Sequence, residues 1–223
     1  MLHINAVLRE DDLAELHAIL VEGDWIDGRQ TAGHLSAQVK NNRQLAEGSA
    51  GAARAGAIVT RALEMNPLFM SGALPARIVP PLFNRYGPGE TYGDHIDGAL
   101  RHAGGQRIRT DLSATLFLNA PEDYDGGELT IGEGSITHRV KLAAGDMLLY
   151  PATAIHRVSP VTQGERVAAF FWIQSIVRDN HQRQMLFDLD RTVQQLTAEA
   201  ASDEAVLALT GHYHNLVRLW ADG

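Results

Sequence analysis

From Ala76 onward the chain is broken into short runs of β-branched and aromatic residues, each closed by Gly, Pro or Asp, and this continues to Ile176. The runs are Arg77–Tyr86, Thr110–Asn119, Glu128–Ile131, Thr137–Leu142, Asp146–Tyr150, His156–Val161 and Val167–Ile176. Short strands at such regular intervals predict a sandwich or a barrel. The connections are legible in Pro88-Gly89, Asp125-Gly126-Gly127, Ala144-Gly145-Asp146 and Gln163-Gly164-Glu165, residue types that suit tight turns.

The flanks have a different texture. Leu13, Leu16, Ile19 and Leu20 recur at helical spacing behind Glu10-Asp11-Asp12, and an Ala-rich stretch from Leu45 to Met65 predicts a second helix. Asn66-Pro67 ends that helix or starts another. After the β region, Met185, Leu186, Leu189, Val193 and Leu196 form one amphipathic stripe. Ser202-Asp203-Glu204 then offers a cap for a last helix carrying Val206, Leu209, Leu216 and Leu219. The expected fold class is therefore mainly β with flanking helices. An N-terminal helical segment (1–75) packs on a β core (76–177), and a C-terminal helical extension (178–223) follows. The stripes of that extension must be buried on the barrel or in a homo-oligomer.

Composition narrows the chemistry. The chain has no cysteine, so any metal must rest on His, Asp and Glu. A net charge of −8 supplies no basic field for a phosphate backbone, so nucleic acid is not the expected partner. Met1 to Arg9 runs straight into three acidic residues, unlike a secretion signal, and no apolar run approaches the ~18 residues of a membrane span. The expectation is a cytoplasmic protein without a membrane partner.

The segment Tyr92-Gly93-Asp94-His95-Ile96-Asp97-Gly98 sets an imidazole and a carboxylate two residues apart, which on extended backbone share a face. His156, opening a later strand, completes two histidines and one carboxylate. That set holds one face of an octahedral iron(II) and leaves positions for a chelating co-substrate and dioxygen, although a zinc hydrolase can use the same ligands. Arg166, on the next run, separates the two readings, because the distal carboxylate of 2-oxoglutarate needs a fork of donors in a desolvated pocket. Tyr86, on the strand before the His-Asp segment, can donate its hydroxyl to the same molecule.

On these residues the chain resembles a known family. Asn84 to Asp97, Leu116-Phe117-Leu118-Asn119, Gly126-Gly127-Glu128-Leu129, Gly145-Asp146-Met147 and His156 through Trp172 are similar to the prolyl-4-hydroxylase branch of the Fe(II)/2-oxoglutarate-dependent dioxygenases. Tyr86-Gly87-Pro88-Gly89, then Tyr92 to Asp97, with Pro151-Ala152 ahead of His156, resemble more narrowly the bacterial PKHD-type hydroxylases, a family associated by name with iron uptake. The resemblance implies a double-stranded β-helix (jelly-roll or cupin-like) core, and iron on His95, Asp97 and His156. It also implies 2-oxoglutarate on Arg166, with Tyr86 and Tyr92 beside it, O2 as oxidant and L-ascorbate as assisting reductant. The reaction implied is hydroxylation of a small-molecule or peptidyl substrate with release of succinate and CO2. Substrate identity does not carry over.

Rival readings are weighed on single residues. Nucleic-acid demethylases of the superfamily carry a second Arg where this chain has Trp172, and halogenases lack the carboxylate that Asp97 supplies. A cupin-like module that senses iron or 2-oxoglutarate without turnover is the alternative from another class. His212 and His214 lie two apart on a predicted helix and diverge. His102 is expected to be exposed or substrate-facing, Phe170 and Trp172 are expected to be core, and the loop Ala99–Arg109, with Arg101, Arg107 and Arg109, is either a lid over an acidic substrate or merely solvated.

Overall fold

The computed structural model describes residues 1–31, 33, 36–200 and 202–222. Among them five α-helices flank two large antiparallel sheets, beside two two-stranded ones, of which one pairs Tyr124–Gly126 with Val161–Gly164: α1 (Glu10–Val21), α2 (Ala50–Glu64), α3 (Pro67–Ala73), α4 (Asn180–Ala198) and α5 (Asp203–Trp220). The helix ends follow from local chemistry. Ser49 accepts from the Ala52 N–H to start α2, and Asp179 accepts from His181 and Gln182 to start α4. Asn66 caps α3 through Phe69 N–H while Pro67 fills its first turn, so Asn66-Pro67 both closes one helix and opens the next. Ser202 caps α5 through Ala205, as its Ser-Asp-Glu start predicts.

The large sheet runs Leu2–Ile4, Met147–Pro151, Leu112–Phe117, Arg166–Ser175, Leu82–Tyr86, Arg43–Leu45, Trp25–Asp27, with Pro75–Ile78 paired to the far end of Arg166–Ser175. The small sheet runs Ile136–Val140, Leu129–Glu133, His156–Val158, Thr91–His95, Lys40–Asn41. Two such sheets facing each other make the double-stranded β-helix that the sequence resemblance implies.

Alternation along the central strand sorts the two interiors. Val167, Ala169, Phe171 and Ile173 join a core shared with Leu16, Ile19 and Leu20 of α1, Ile58, Val59 and Leu63 of α2, and Phe69 of α3. Arg166, Phe170 and Trp172 point the other way, into the space between the sheets. Burial on both faces explains why this strand reads as a nearly continuous apolar run. At the other end of the chain α4 docks on α3, with Ser71 Oγ donating to Asp190 at 2.5 Å and Leu186 fully buried, while α5 packs on α4 and has no fully buried residue among those described.

Three segments differ from the sequence expectations. The first 75 residues carry, beside their helices, strands at Leu2–Ile4, Trp25–Asp27, Lys40–Asn41 and Arg43–Leu45 that extend both sheets. At two or three residues each, they are too short for any periodicity to register. Arg77–Tyr86 is two strands, because Pro80-Pro81 removes two consecutive ladder donors. The loop expected at Ala99–Arg109 is a hairpin, Leu100–Ala103 with Gln106–Arg109, turned by Gly104 and Gly105 at φ 57° and 74°.

Candidate active site

Strand pairing brings the candidate ligands together. His95 closes Thr91–His95 and His156 opens His156–Val158, and the two are direct register partners in the small sheet. Their rings lie 4.1 Å apart between centroids. Asp97 follows two residues beyond the strand end, where Ser113 Oγ, reaching from the large sheet, donates to its Oδ2 at 2.6 Å. One ligand atom from each of His95, Asp97 and His156 can be chosen so that all lie within 4.8 Å of one another; no other such group of His, Asp and Glu occurs among the described residues.

Both imidazoles are oriented by backbone carbonyls. His95 Nδ1 donates to the Gly93 carbonyl at 2.8 Å, and His156 Nδ1 donates to the Ala154 carbonyl at 3.0 Å. The carbonyls fix the protons on Nδ1 and leave both Nε2 atoms open; His156 Nε2 sits 3.6 Å from Asp97 Oδ2. Burial and the adjacent His156 pull the His95 imidazole down to about 4, so at neutral pH it carries no proton that a cation would have to displace. Tyr92 lies flat on the His95 ring, centroids 3.6 Å apart and planes 12° from parallel, which holds that ring against rotation.

Arg166 enters the same cavity from the large sheet. It is the register partner of Tyr86 and is 1% exposed. Its guanidinium carbon lies 5.4 Å from the ring centroids of both Tyr86 and Phe117. Among the described residues its one hydrogen bond is a long one to Asn84 Oδ1, 3.5 Å, and its Nε has none. The hydroxyls of Tyr86 and Tyr124 are likewise buried without a partner. Burial pushes the Tyr86, Tyr124 and Tyr150 hydroxyls above their ordinary range, with the Arg166 charge opposing, so all three stay protonated donors. Donors without partners around a buried cation have the chemistry to receive an anion.

The sequence reading thus has His95, Asp97, His156, Arg166, Tyr86 and Tyr92 in one cavity. Ser113, Asn84, Tyr124 and Lys40 escaped it. Ser113 has a legible signal, a polar residue on the inward face of a central apolar strand. Tyr124 and Lys40 have none, since each arrives from a short edge strand. Phe170 and Trp172 are core as expected, Trp172 buried with Val79 and Ile108 and Phe170 packed against them, and the same two rings also line the cavity. His212 and His214 lie on α5, outside the triad.

Comparison with known proteins settles the family. Residues 81–174 match the model of the 2OG-Fe(II) oxygenase superfamily, and residues 180–222 match that of the PKHD-type hydroxylase C-terminal domain. A PKHD-type hydroxylase of Beijerinckia indica is 54% identical over 100% of this chain and 99% of its own length, and one of Caulobacter vibrioides is 54% identical with the same coverage. The chain belongs to the PKHD-type hydroxylases. It is therefore a 2-oxoglutarate-dependent hydroxylase, and its family implies iron(II). Two solved structures share the fold of this hydroxylase. A Pseudomonas putida prolyl-4-hydroxylase aligns with TM-score 0.51 and 22% identity over 78% of this chain and 91% of that one. A Trichoplax adhaerens prolyl hydroxylase, solved with a hypoxia-inducible-factor peptide fragment, aligns with TM-score 0.59 and 15% identity, covering 83% and 86%. No helix among the described residues is long and apolar enough to cross a membrane.

Proposed function

We propose that this hydroxylase holds iron(II) on His95, Asp97 and His156 and 2-oxoglutarate on Arg166, and uses them to hydroxylate a small-molecule or peptidyl substrate. The observation that carries this reading is the buried Arg166 guanidinium, which has no carboxylate partner among the described residues and shares a cavity with the triad. A buried cation left unpaired is costly, and a dicarboxylate whose far end meets it offsets that cost. The Tyr86 hydroxyl, buried without a partner and lining the same cavity, supports this reading as a further donor to that carboxylate. The chemistry of the triad fits the metal: two imidazoles whose Nδ1 atoms are engaged by backbone carbonyls, and a carboxylate that accepts from Ser113.

When bound, the iron and 2-oxoglutarate supply oxygen activation, coupled to decarboxylation to succinate and CO2. The side chains of the cavity orient and exclude water. Ser113 fixes the carboxylate of Asp97, Tyr92 fixes the ring of His95, and Phe170 and Trp172 wall off solvent on the substrate side. We extend the proposal, on family resemblance, to L-ascorbate as an assisting reductant and to a role linked to iron uptake.

The test is anaerobic addition of iron(II) and 2-oxoglutarate to the purified protein, followed by visible absorption and then by succinate release on admitting oxygen. A weak charge-transfer band and oxygen-dependent succinate are expected from the wild type, and neither from His156→Ala. Stoichiometric iron in His95→Ala or His156→Ala removes the ligand assignment, and a band without succinate identifies a sensor.

A further inference from the structure

Two further cations meet at the mouth of the cavity, and neither is used by iron or 2-oxoglutarate. Lys40, on the edge strand paired to Thr91–His95, is 5% exposed, and its Nζ donates to two neutral acceptors, Thr31 Oγ1 and Gln44 Oε1, each at 3.2 Å. Arg101 comes from the hairpin, with its guanidinium carbon 3.9 Å from the ring centroid of Trp172. Lys40 Nζ is 5.7 Å from the ring centroid of Phe170, and Phe170 and Trp172 meet edge to face at 5.6 Å. The aromatic pair on the inward face of Arg166–Ser175 thus carries a cation at each end. Among the described residues neither cation forms an ion pair. Arg107 and Arg109 do not share this position: Arg107 is exposed, and Arg109 is paired with Asp111 at 2.6 Å.

The arrangement is unfavourable as pure structure. Burial, with the charge of Arg101 adding to it, pulls Lys40 down to about 8, and burial lowers Arg101 as well. Charge balance shows what is missing. The two positive charges of iron(II) and that of Arg166 are matched by the two carboxylates of 2-oxoglutarate and that of Asp97. Lys40 and Arg101 are left over. Apart from Asp97, whose charge acts on both but is committed to the iron in this reading, the acid they share is Glu47, exposed at the rim and accepting from Gln44 Nε2 at 3.3 Å. One positive charge remains unanswered in a partly desolvated place.

We infer that Lys40 and Arg101 bind a carboxylate of the substrate, so that the molecule hydroxylated is a small organic acid with an apolar body. The inference rests on the iron and 2-oxoglutarate reading of the inner cavity. The body has a place to lie. A groove of about 660 Å³ shares Thr31 and Arg101 with the cavity, and Ile26, Val79, Leu82 and Leu100 give it apolar walls. Its size matches ordinary small-molecule sites.

The experiment uses the full chain saturated with 2-oxoglutarate and Mn(II), which fills the inner site without turnover. 4-Phenylbutyrate and its neutral isostere 4-phenylbutyramide are titrated by calorimetry. The acid is expected to bind at least about tenfold tighter than the amide, the equivalent of one charge-assisted hydrogen bond. Arg101→Gln, on the partly exposed hairpin, and Lys40→Met are each expected to remove that preference while leaving the amide's affinity and the 2-oxoglutarate affinity unchanged. Equal binding of acid and amide, binding of neither, or a preference that survives Arg101→Gln overturns the inference. A 2-oxoglutarate affinity that falls about tenfold in Arg101→Gln also overturns it, by assigning the cation to the co-substrate. The preceding 2-oxoglutarate titration separates the two proposals, because a wild type that fails to bind it refutes the reading of the inner cavity.

Discussion

Replacing Arg166 by Met separates the cost of this side chain from its use. The guanidinium is 1% exposed and has one long hydrogen bond to a neutral amide among the described residues. Exchanging a buried ion pair or triad for apolar groups of similar volume is often neutral or stabilising by about 1–4 kcal/mol, an unpaired buried charge has no partner to lose, and in a chain of this size each kcal/mol moves Tm by about 2–4 °C. Ligand-free Arg166→Met should therefore melt several degrees above the wild type. The co-substrate should have the opposite effect. At a hundredfold excess over Kd a ligand stabilises by about 2.7 kcal/mol, which raises the wild-type Tm by about 5–10 °C. Loss of one partner from a buried charged pair costs about 3–5 kcal/mol, or about two to four orders of magnitude in affinity. At the same concentration the 2-oxoglutarate shift in the variant should fall below about 1 °C. Thermal melts of both proteins with Mn(II), with and without 2-oxoglutarate, read both signs at once. A variant that keeps the co-substrate shift refutes the role of Arg166, and one that melts below the wild type without ligand refutes the account of its cost.

Ser113→Ala should lower iron affinity about 10–100-fold, since Ser113 orients the Asp97 carboxylate from outside the ligand set, and chelator competition measures it. The metal-free protein should lose stability as pH falls from about 6.5 to about 4, because in that window the unfolded His95 takes up a proton that the folded one refuses. His95→Asn should flatten this slope, and an unchanged slope would contradict the burial argument. Gly164→Ala should destabilise by about 2 kcal/mol or more, because the residue sits at φ +73° and a Cβ there would lie 2.1 Å from the Asp123 carbonyl. The clash falls on the Asp123–Tyr124 peptide, with the Tyr124 Cα at 2.9 Å, so the Tyr124 ring beside Arg166 should shift and 2-oxoglutarate affinity in that variant should fall as well.

What the sequence made legible and what it did not divide along physical lines. His95 and Asp97 share a local spacing, and His156 and Arg166 fall on strongly patterned strands, so the inner site is visible from one-dimensional signals. The helix boundaries at Ser49, Asn66, Asp179 and Ser202 are equally local, being set by a side chain and an N–H two or three residues away. The edge strand carrying Lys40 is two residues long and exists only because Thr91–His95 offers a free edge, which no window of sequence contains. Phe170 and Trp172 are core as their alternation predicts, yet both also line the cavity, which the sequence did not show. Alternation tells which residues point inward, but not whether the inside is filled or hollow.

The two register pairs, His95 with His156 in the small sheet and Arg166 with Tyr86 in the large one, have a mechanical consequence. If the proposed site is correct, 2-oxoglutarate is gripped at one end by each layer and acts as a strut across the sandwich. Its five-carbon length then becomes a gauge of the gap, and a diacid one carbon shorter cannot span both grips without drawing the layers together. Loading the strut should stiffen strands in both sheets together. Slowed amide exchange is then expected along Leu82–Tyr86 as much as along Thr91–His95, although the first of these strands contributes no ligand to the metal.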